Sequence, residues 1–318
     1  MKALIIGCGK IGAFYDSVRS EQILSHAHAY KKNINIQKIG FVDSDYNLAI
    51  KAAEEWEGVC FESISEAIAN LKPDIVSICT PTFTHGLALK QVIELGVKTI
   101  ICEKPLTMSS QESGMITALC LKNNVNLIVN YSRRFDSYVQ GLKCSIDSYE
   151  YGEIVSVTSL YSKGIRNNGS HVINLGQFLF GDVLTTRALL ERVDYDVLDP
   201  CIDAMLTFER CPSFHLVSCN ENNFSIFEMD IIFTKGRLKF VDFGLTVYLQ
   251  RVVEDKLFKG YRKLGETQIL NTDLLNSMPN LIEHVINLNK KESFSAGKSA
   301  AQTDYIVEQL MKAIKDGK

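Results

Sequence analysis

The stretch Ala3-Leu4-Ile5-Ile6-Gly7-Cys8-Gly9-Lys10-Ile11-Gly12 decides the reading of this chain. An apolar run makes a buried strand, and a GxGxxG turn follows it directly and opens a helical region, the context in which that pattern signals a dinucleotide. The glycines allow a tight turn, close approach of backbone to a pyrophosphate, and packing of helix on strand, while the helix start supplies N–H groups and positive potential. Gly7, Gly9, Lys10, Ile11 and Gly12 are therefore candidate cofactor contacts. The second apolar run ends Gly40-Phe41-Val42-Asp43, which puts a carboxylate where ribose hydroxyls could donate to it. Asp43 lies farther from the glycines than is usual, and an insertion around Tyr15 to Ser25 accounts for the difference. Ser44, Asp45 and Tyr46 offer no Arg or Lys to a 2′-phosphate, so NAD is expected rather than NADP.

Outward from that turn, short β-branched runs (Ala3 to Ile6, Ile36 to Val42, Ile75 to Cys79, Thr99 to Cys102, Asn126 to Val129) alternate with amphipathic stretches at helical spacing. The helical stretches are Asn47 to Trp56, Ile64 to Leu71, Thr84 to Leu95 and Ser109 to Asn123, the last opening with a cap at Ser109 and Glu112 in its first turn. This alternation predicts βαβ units on a doubly wound parallel sheet over residues 1–130. Beyond about Tyr149 the texture becomes longer, alternating and aromatic-rich, from Glu153 to Val252. That predicts an α+β domain over 131–318 with an open, mainly antiparallel sheet of six or more strands. A helix over Ser170 to Phe180 interrupts it, and helices over Asp273 to Asn289 and Ser299 to Lys315 close the chain, with return of the last to the first domain left open.

The whole composition narrows the function. The 318 residues are 46% apolar and 22% charged, with a net charge of −3 and no basic stripe, so a nucleic-acid partner is not expected. The nine cysteines are scattered, without CxxC pairs or Cys/His clusters, and read as reduced thiols with no metal. No apolar segment reaches the ~20 residues a membrane span requires. A soluble, cytoplasmic protein with a small-molecule partner is the expectation.

Two further strand ends carry chemistry: Cys79-Thr80-Pro81-Thr82-Phe83-Thr84-His85, and Cys102-Glu103-Lys104-Pro105. Ligands of open α/β sheets bind beyond the carboxyl ends of the strands, which makes Thr80, Pro81, Thr82, His85 and Glu103 candidate cofactor contacts. An amine at Lys104, partly desolvated beside a nicotinamide, would have its pKa lowered towards a value useful for proton transfer. His26 and His28, two residues apart, diverge on a helix and do not suit a metal.

Taken together, the glycine turn, Thr80-Pro81 with His85, and above all Glu103-Lys104-Pro105 resemble the glucose-fructose oxidoreductase and inositol dehydrogenase (Gfo/Idh/MocA) family over the whole chain. The resemblance implies a Rossmann domain joined to an open-faced antiparallel sheet, with the motif lysine, Lys104, acting in catalysis. It also implies a GxH segment with Asp four residues before the His and three after. Here that segment reads Asn167-Asn168-Gly169-Ser170-His171-Val172-Ile173-Asn174, so His171 is kept and both acids are amides. An amide can orient a hydroxyl but cannot sustain charge beside an imidazolium, which favours Lys104 over His171 as the proton-transfer group. Asn167 and Asn174 are candidate substrate contacts. Asn130-Tyr131-Ser132-Arg133-Arg134 matches the family's segment between domains, where Arg133 or Arg134 could fork onto a substrate carboxylate or phosphate.

The expectation is a dehydrogenase or reductase moving hydride between NAD and a secondary alcohol or ketone of a sugar, sugar derivative, nucleotide-linked sugar or cyclic polyol. It would be a homodimer or homotetramer paired through the exposed face of the C-terminal sheet, expected to be rich in alternating Leu, Phe and Val and therefore to need covering. The alternative is a non-catalytic NAD-binding sensor of the same fold, similar to corepressors of galactose regulons. Transient oxidation, as in NAD-using glycosidases, would use the same residues.

Overall fold

The structure, a computed structural model, describes residues 1–288 and 290–316, the side chains of 290–296 excepted. It divides into two units, Met1–Phe135 with Leu275–Tyr305, and Asp136–Leu274 with Ile306 onward.

In the first unit the apolar runs become strands and the amphipathic stretches helices: β1 (Lys2–Ile6), α1 (His26–Lys32), β2 (Lys38–Val42), α2 (Tyr46–Trp56), β3 (Val59–Cys60), α3 (Ile64–Leu71), β4 (Ile75–Ile78), α4 (His85–Glu94), β5 (Thr99–Cys102), α5 (Ser110–Lys122) and β6 (Asn126–Val129). All six strands run parallel in the order β3-β2-β1-β4-β5-β6. Ala3, Leu4, Ile5, Ile75 and Val76 are all fully buried, because helices cover both faces of the sheet. Ile6 lies beside Val42 and Ile78, Ile78 beside Cys102, and Cys102 beside Val129. That register brings Gly7, Asp43, Thr80, Glu103 and Asn130 out at one edge of the sheet, where the strand order reverses between β1 and β4. The cap at Ser109 forms, its hydroxyl accepting from the Glu112 N–H at 3.4 Å.

One expectation fails here. The glycine turn opens only a short wide-pitched turn over Lys10–Phe14, closed by Tyr15 N–H donating to Lys10 O at 2.8 Å, and regular helix resumes at His26. The intervening insertion is clasped by Asp16, which accepts from the Leu24 N–H at 2.6 Å, the Ser25 N–H at 3.2 Å and His28 Nδ1 at 2.8 Å. Burial opposes the Asp16 charge, but these bonds outweigh it and hold its carboxyl below the usual range.

The second unit begins with α6 (Ser137–Asp147), followed by β7 (Ile154–Tyr161), α7 (Ser170–Phe180), β8 (Val183–Arg192), β9 (Cys201–Phe208), β10 (Cys211–Ser218), β11 (Phe227–Phe233), β12 (Gly236–Val241), β13 (Thr246–Glu254), β14 (Arg262–Leu264) and β15 (Gln268–Asn271). Among the described residues these nine strands form one sheet, β14-β13-β12-β11-β7-β10-β9-β8 with β15 against β13. Its pairs are antiparallel except β7 with β10. One face is apolar by strict alternation: Phe227, Met229, Ile231 and Phe233 of β11 are buried against α6 and α7 residues such as Leu142, Val172 and Leu179. The opposite face is not the continuous Leu, Phe and Val surface expected from sequence. Its β11 and β12 strands carry the ion pairs Arg237–Asp230 and Lys239–Glu228, which interrupt the exposed apolar side chains, among them Leu184, Leu189 and Leu190 on β8, Met205 on β9, Val155 on β7 and Ile269 on β15.

Residues after the sheet correct the expected boundary at 130/131. α8 (Ser277–Ile286) buries Met278, Leu281, Ile282 and Val285 in the same cluster as Ala3 and Ile5 of the first unit. α9 (Lys290–Lys315) starts earlier than Ser299, and its residues up to Tyr305 also belong to that unit. The expected helix end at Asn289 lies outside the described residues. No described helix is long and apolar enough to cross a membrane.

Candidate active site and dinucleotide cleft

Beyond the carboxyl ends of β1, β2 and β4 opens a cleft of about 800 Å³ lined by Gly7, Gly9, Asp43, Ser44, Glu62, Thr80 and Pro81 among others. The glycines divide their work as the motif requires. Gly7 has φ +94°, and a Cβ there would stand 2.6 Å from the Thr80 backbone nitrogen. A Cβ at Gly12 would stand 2.1 Å from the Gly7 carbonyl oxygen, whereas at Gly9 it would meet nothing within 4 Å. Gly9 therefore presents bare backbone to open space at the mouth of the cleft, which fits the passage of a pyrophosphate. Asp43 accepts from the Cys8 N–H at 2.6 Å on one oxygen and from the Asp45 N–H at 2.9 Å on the other. The Ser44 hydroxyl also donates to that second oxygen at 3.3 Å, so these bonds fix the carboxylate and leave the oxygen facing Cys8 with a lone pair for a ribose hydroxyl. Lys10 is exposed and Ile11 half-buried on the short turn; Thr82 begins the turn over Thr82–Thr84. Phe83, Leu87 and Gln91 also line the cleft, which the sequence reading missed because helix spacing alone does not say which face meets a ligand.

Two expected cofactor contacts prove to face inwards. His85 is 1% exposed, with Nδ1 3.0 Å from Pro105 O and Nε2 2.8 Å from Thr80 O, so it ties the β4 and β5 loops together. Glu103 takes His26 Nε2–H at 2.9 Å and Asn130 Nδ2–H at 2.7 Å, both on Oε1. Burial works against the Glu103 charge, but the bond from His26, then Asn130 and the neighbouring Lys104, outweigh it and keep its carboxyl below the usual range. Lys104 follows at the strand end, half-buried, with a cis bond to Pro105. The loop beyond is braced by Asp304 of α9, which accepts from Ser113 Oγ at 2.6 Å.

Of the arginine pair on the turn Ser132–Phe135, Arg134 donates to Ser299 on α9, and burial lowers its guanidinium pKa to about 10. Arg134 thus braces its own unit, and of the two arginines offered as alternatives Arg133 is kept as the candidate anchor.

In the second unit a wide turn over Gly164–Gly169 leads into α7, which carries His171, half-buried, and Asn174, 1% exposed. Asn167 sits on the turn, and its N–H donates to Asp199 at 2.9 Å while that of Arg166 donates to the same carboxylate at 2.7 Å. Burial raises the Asp199 pKa against the pull of these bonds. Asp199 was missed in the sequence, since nothing in its surroundings marks it as the acid that holds the GxH turn. Among the described residues no group of three or more His, Cys, Asp or Glu side chains is arranged to hold a metal.

Residues 1–131 match a family described as an oxidoreductase family with an NAD-binding Rossmann fold. The chain is 26% identical over 216 residues to the inositol 2-dehydrogenase of Rhizobium meliloti (strain 1021), covering 60% of this chain and 62% of that one. It is 27% identical over 143 residues to the UDP-N-acetylglucosamine 3-dehydrogenase of Acidithiobacillus ferrooxidans, covering 45% and 41% respectively. The chain thus spans less than two thirds of the length of either relative. An oxidoreductase from Agrobacterium radiobacter, solved with NAD+, L-tartaric acid and magnesium, superposes with a TM-score of 0.78 over 100% of this chain and 97% of its own, at 18% identity, which shows a shared fold.

Proposed function

We propose, from the premise that this chain belongs through residues 1–131 to the Gfo/Idh/MocA oxidoreductase family, that it oxidises or reduces a secondary alcohol or ketone of a polyol, sugar or nucleotide-linked sugar. The observation that carries this is the shared sheet edge: an open glycine cradle and a ribose-accepting Asp43 at one side, and Lys104 at the end of β5. A dinucleotide held by the Gly7 to Gly12 turn and Asp43 would supply the acceptor and donor of hydride for the carbinol carbon. Lys104 Nζ takes the hydroxyl proton in oxidation and gives it back in reduction. Recognition of the hydroxylated substrate is assigned to neutral donors and acceptors of the second unit, His171, Asn167 and Asn174, and to Arg133 for any acidic group. The inositol and UDP-sugar dehydrogenase relatives set the substrate range. A screen of polyols, sugars and nucleotide sugars followed at the absorbance of reduced nicotinamide tests the proposal, and absence of turnover across all three classes would overturn it. The nine thiols suit a cytoplasmic setting.

NAD is the proposed cofactor. Asp43 and Glu62 both line the cleft, and among its described lining residues there is no Lys or Arg to meet a 2′-phosphate. Calorimetric titration should show NAD(H) binding at least tenfold more tightly than NADP(H); equal or tighter NADP(H) binding would show that Asp43 is wrongly placed in the reading.

The second unit's sheet is proposed to pair with another copy. β8 is a ten-residue edge strand exposed along nearly its whole length, and the loop after it carries Val197 and Leu198, 78% and 81% exposed. Apolar edges of this length invite pairing. Light scattering at micromolar concentration should return a dimer or tetramer mass, and a monomer mass would contradict it.

A further inference from the structure

The insertion delivers a histidine to the floor of the site. His26 is fully buried, and it does not sit beside His28, which turns to Asp16 and the Trp56 ring 5.2 Å away. Instead His26 Nδ1 lies 3.0 Å from Ser77 Oγ, Ser77 Oγ lies 2.7 Å from the Tyr30 hydroxyl, and His26 Nε2 meets Glu103. Ser77 and Tyr30 are also fully buried, which removes Ser77 from any role as a nucleophile.

The directions of these bonds follow from counting protons. The recorded partner of the buried Tyr30 hydroxyl is Ser77, so Tyr30 donates to it; burial keeps that phenol protonated by raising its pKa far above the usual range. Ser77 has one proton of its own, which goes to His26 Nδ1. Nδ1 is therefore the acceptor, and the ring proton of a neutral imidazole stands on Nε2, aimed at Glu103. Each donor has its acceptor with His26 neutral and Glu103 charged.

We propose that His26 is a positioning residue for the reaction: through its Nε2–H it holds Glu103 as a fixed carboxylate beside Lys104, and so sets the charge against which Lys104 releases and recovers its proton. This rests on the reading of Lys104 as the proton-transfer group. Glu103 is faced by His26 from α1, Cys79 just beyond β4, Cys102 of β5, Asn130 from the end of β6, and Lys104 on its own loop. Burial raises both thiol pKa values well above the usual range, so those groups add no charge. The charge on Glu103 thus depends on His26 and Asn130, and Lys104 is the cation that feels it. Losing that bond leaves burial less opposed and shifts Glu103 towards its protonated form, and an ammonium whose anionic neighbour is weakened gives up its proton more readily.

The test is the pH profile of the oxidation rate. His26→Leu should move the rising limb to lower pH by about one unit and cut plateau kcat severalfold, with KM and NAD affinity within about twofold. Glu103→Gln, which keeps an acceptor for both donors and loses only the charge, should move the limb the same way. His26→Gln, which keeps a donor towards Glu103, should return it to the wild-type position. A limb that stays put or moves up in His26→Leu, or a loss that tracks NAD affinity alone, would overturn the proposal. If His26→Leu does not fold, Glu103→Gln decides on the same terms. The ¹⁵N spectrum of the unmutated protein supplies a readout without turnover: His26 should show the neutral Nε2–H tautomer at pH 7.5, and an Nδ1–H tautomer would overturn the relay. Failure of the Lys104 reading itself is separate, since it would appear as turnover surviving in Lys104→Met.

Discussion

Lys104→Met is expected to lower turnover by more than ~10²-fold while leaving NAD affinity within about threefold, the signature of a lost acid-base group rather than a lost binding contact. The side chain stands at the end of β5, away from the glycine turn that would hold the pyrophosphate, so removing it should not open the cofactor cleft. Lys104→Arg sharpens the test. It keeps a cation in place, but a guanidinium cannot release its proton in the working range, so this variant should be as slow as Lys104→Met. Near-normal turnover in Met would remove Lys104 from the mechanism, and near-normal turnover in Arg would make its role electrostatic.

Two alanines in the glycine turn should have opposite effects. At Gly12 the new Cβ would press on the Gly7 carbonyl, a backbone atom that cannot swing aside. The cost should be roughly 3 kcal/mol, the upper part of the range for overpacking, and unit 1 should melt about 6–12 °C lower. At Gly9 the same methyl meets open space. Its melting temperature should stay within about 2 °C while NAD binding weakens at least tenfold, about 1.4 kcal/mol. Thermal scans with and without NAD separate the two. A Gly9→Ala protein that binds NAD normally would show that the pyrophosphate does not pass this turn.

The parallel sheet was legible because its determinants are local: an apolar run followed by Gly7, a carboxylate after Val42, a cap at Ser109. The places of Gly7, Asp43, Thr80 and Lys104 at one edge follow from the strand register that those runs impose. What escaped depends on contacts distant in sequence. Nothing around His26 says that it will meet Glu103, 77 positions on. Nothing around His85 says that both ring nitrogens will be taken by carbonyls, and Asp199 gains its place only when β9 returns to the turn before α7. The outer sheet face was misjudged for a related reason. Alternation shows that a strand has two faces, but it does not show that Arg237 and Asp230 will neutralise one another on the side away from the core.

The return of α8 to the first unit bears on how the chain comes into being. Met278, Leu281, Ile282 and Val285 complete an apolar cluster whose other members, Ala3, Ile5 and Ile75, are made early. A ribosome releases the amino end first and at a measured pace, and an early domain ordinarily folds while the rest is still being made. This one cannot finish that way: its first unit must wait, with part of its apolar surface open, until α8 has emerged behind the whole of the second sheet. Nascent-chain vulnerability, and dependence on a chaperone during synthesis, should therefore fall on the half translated first.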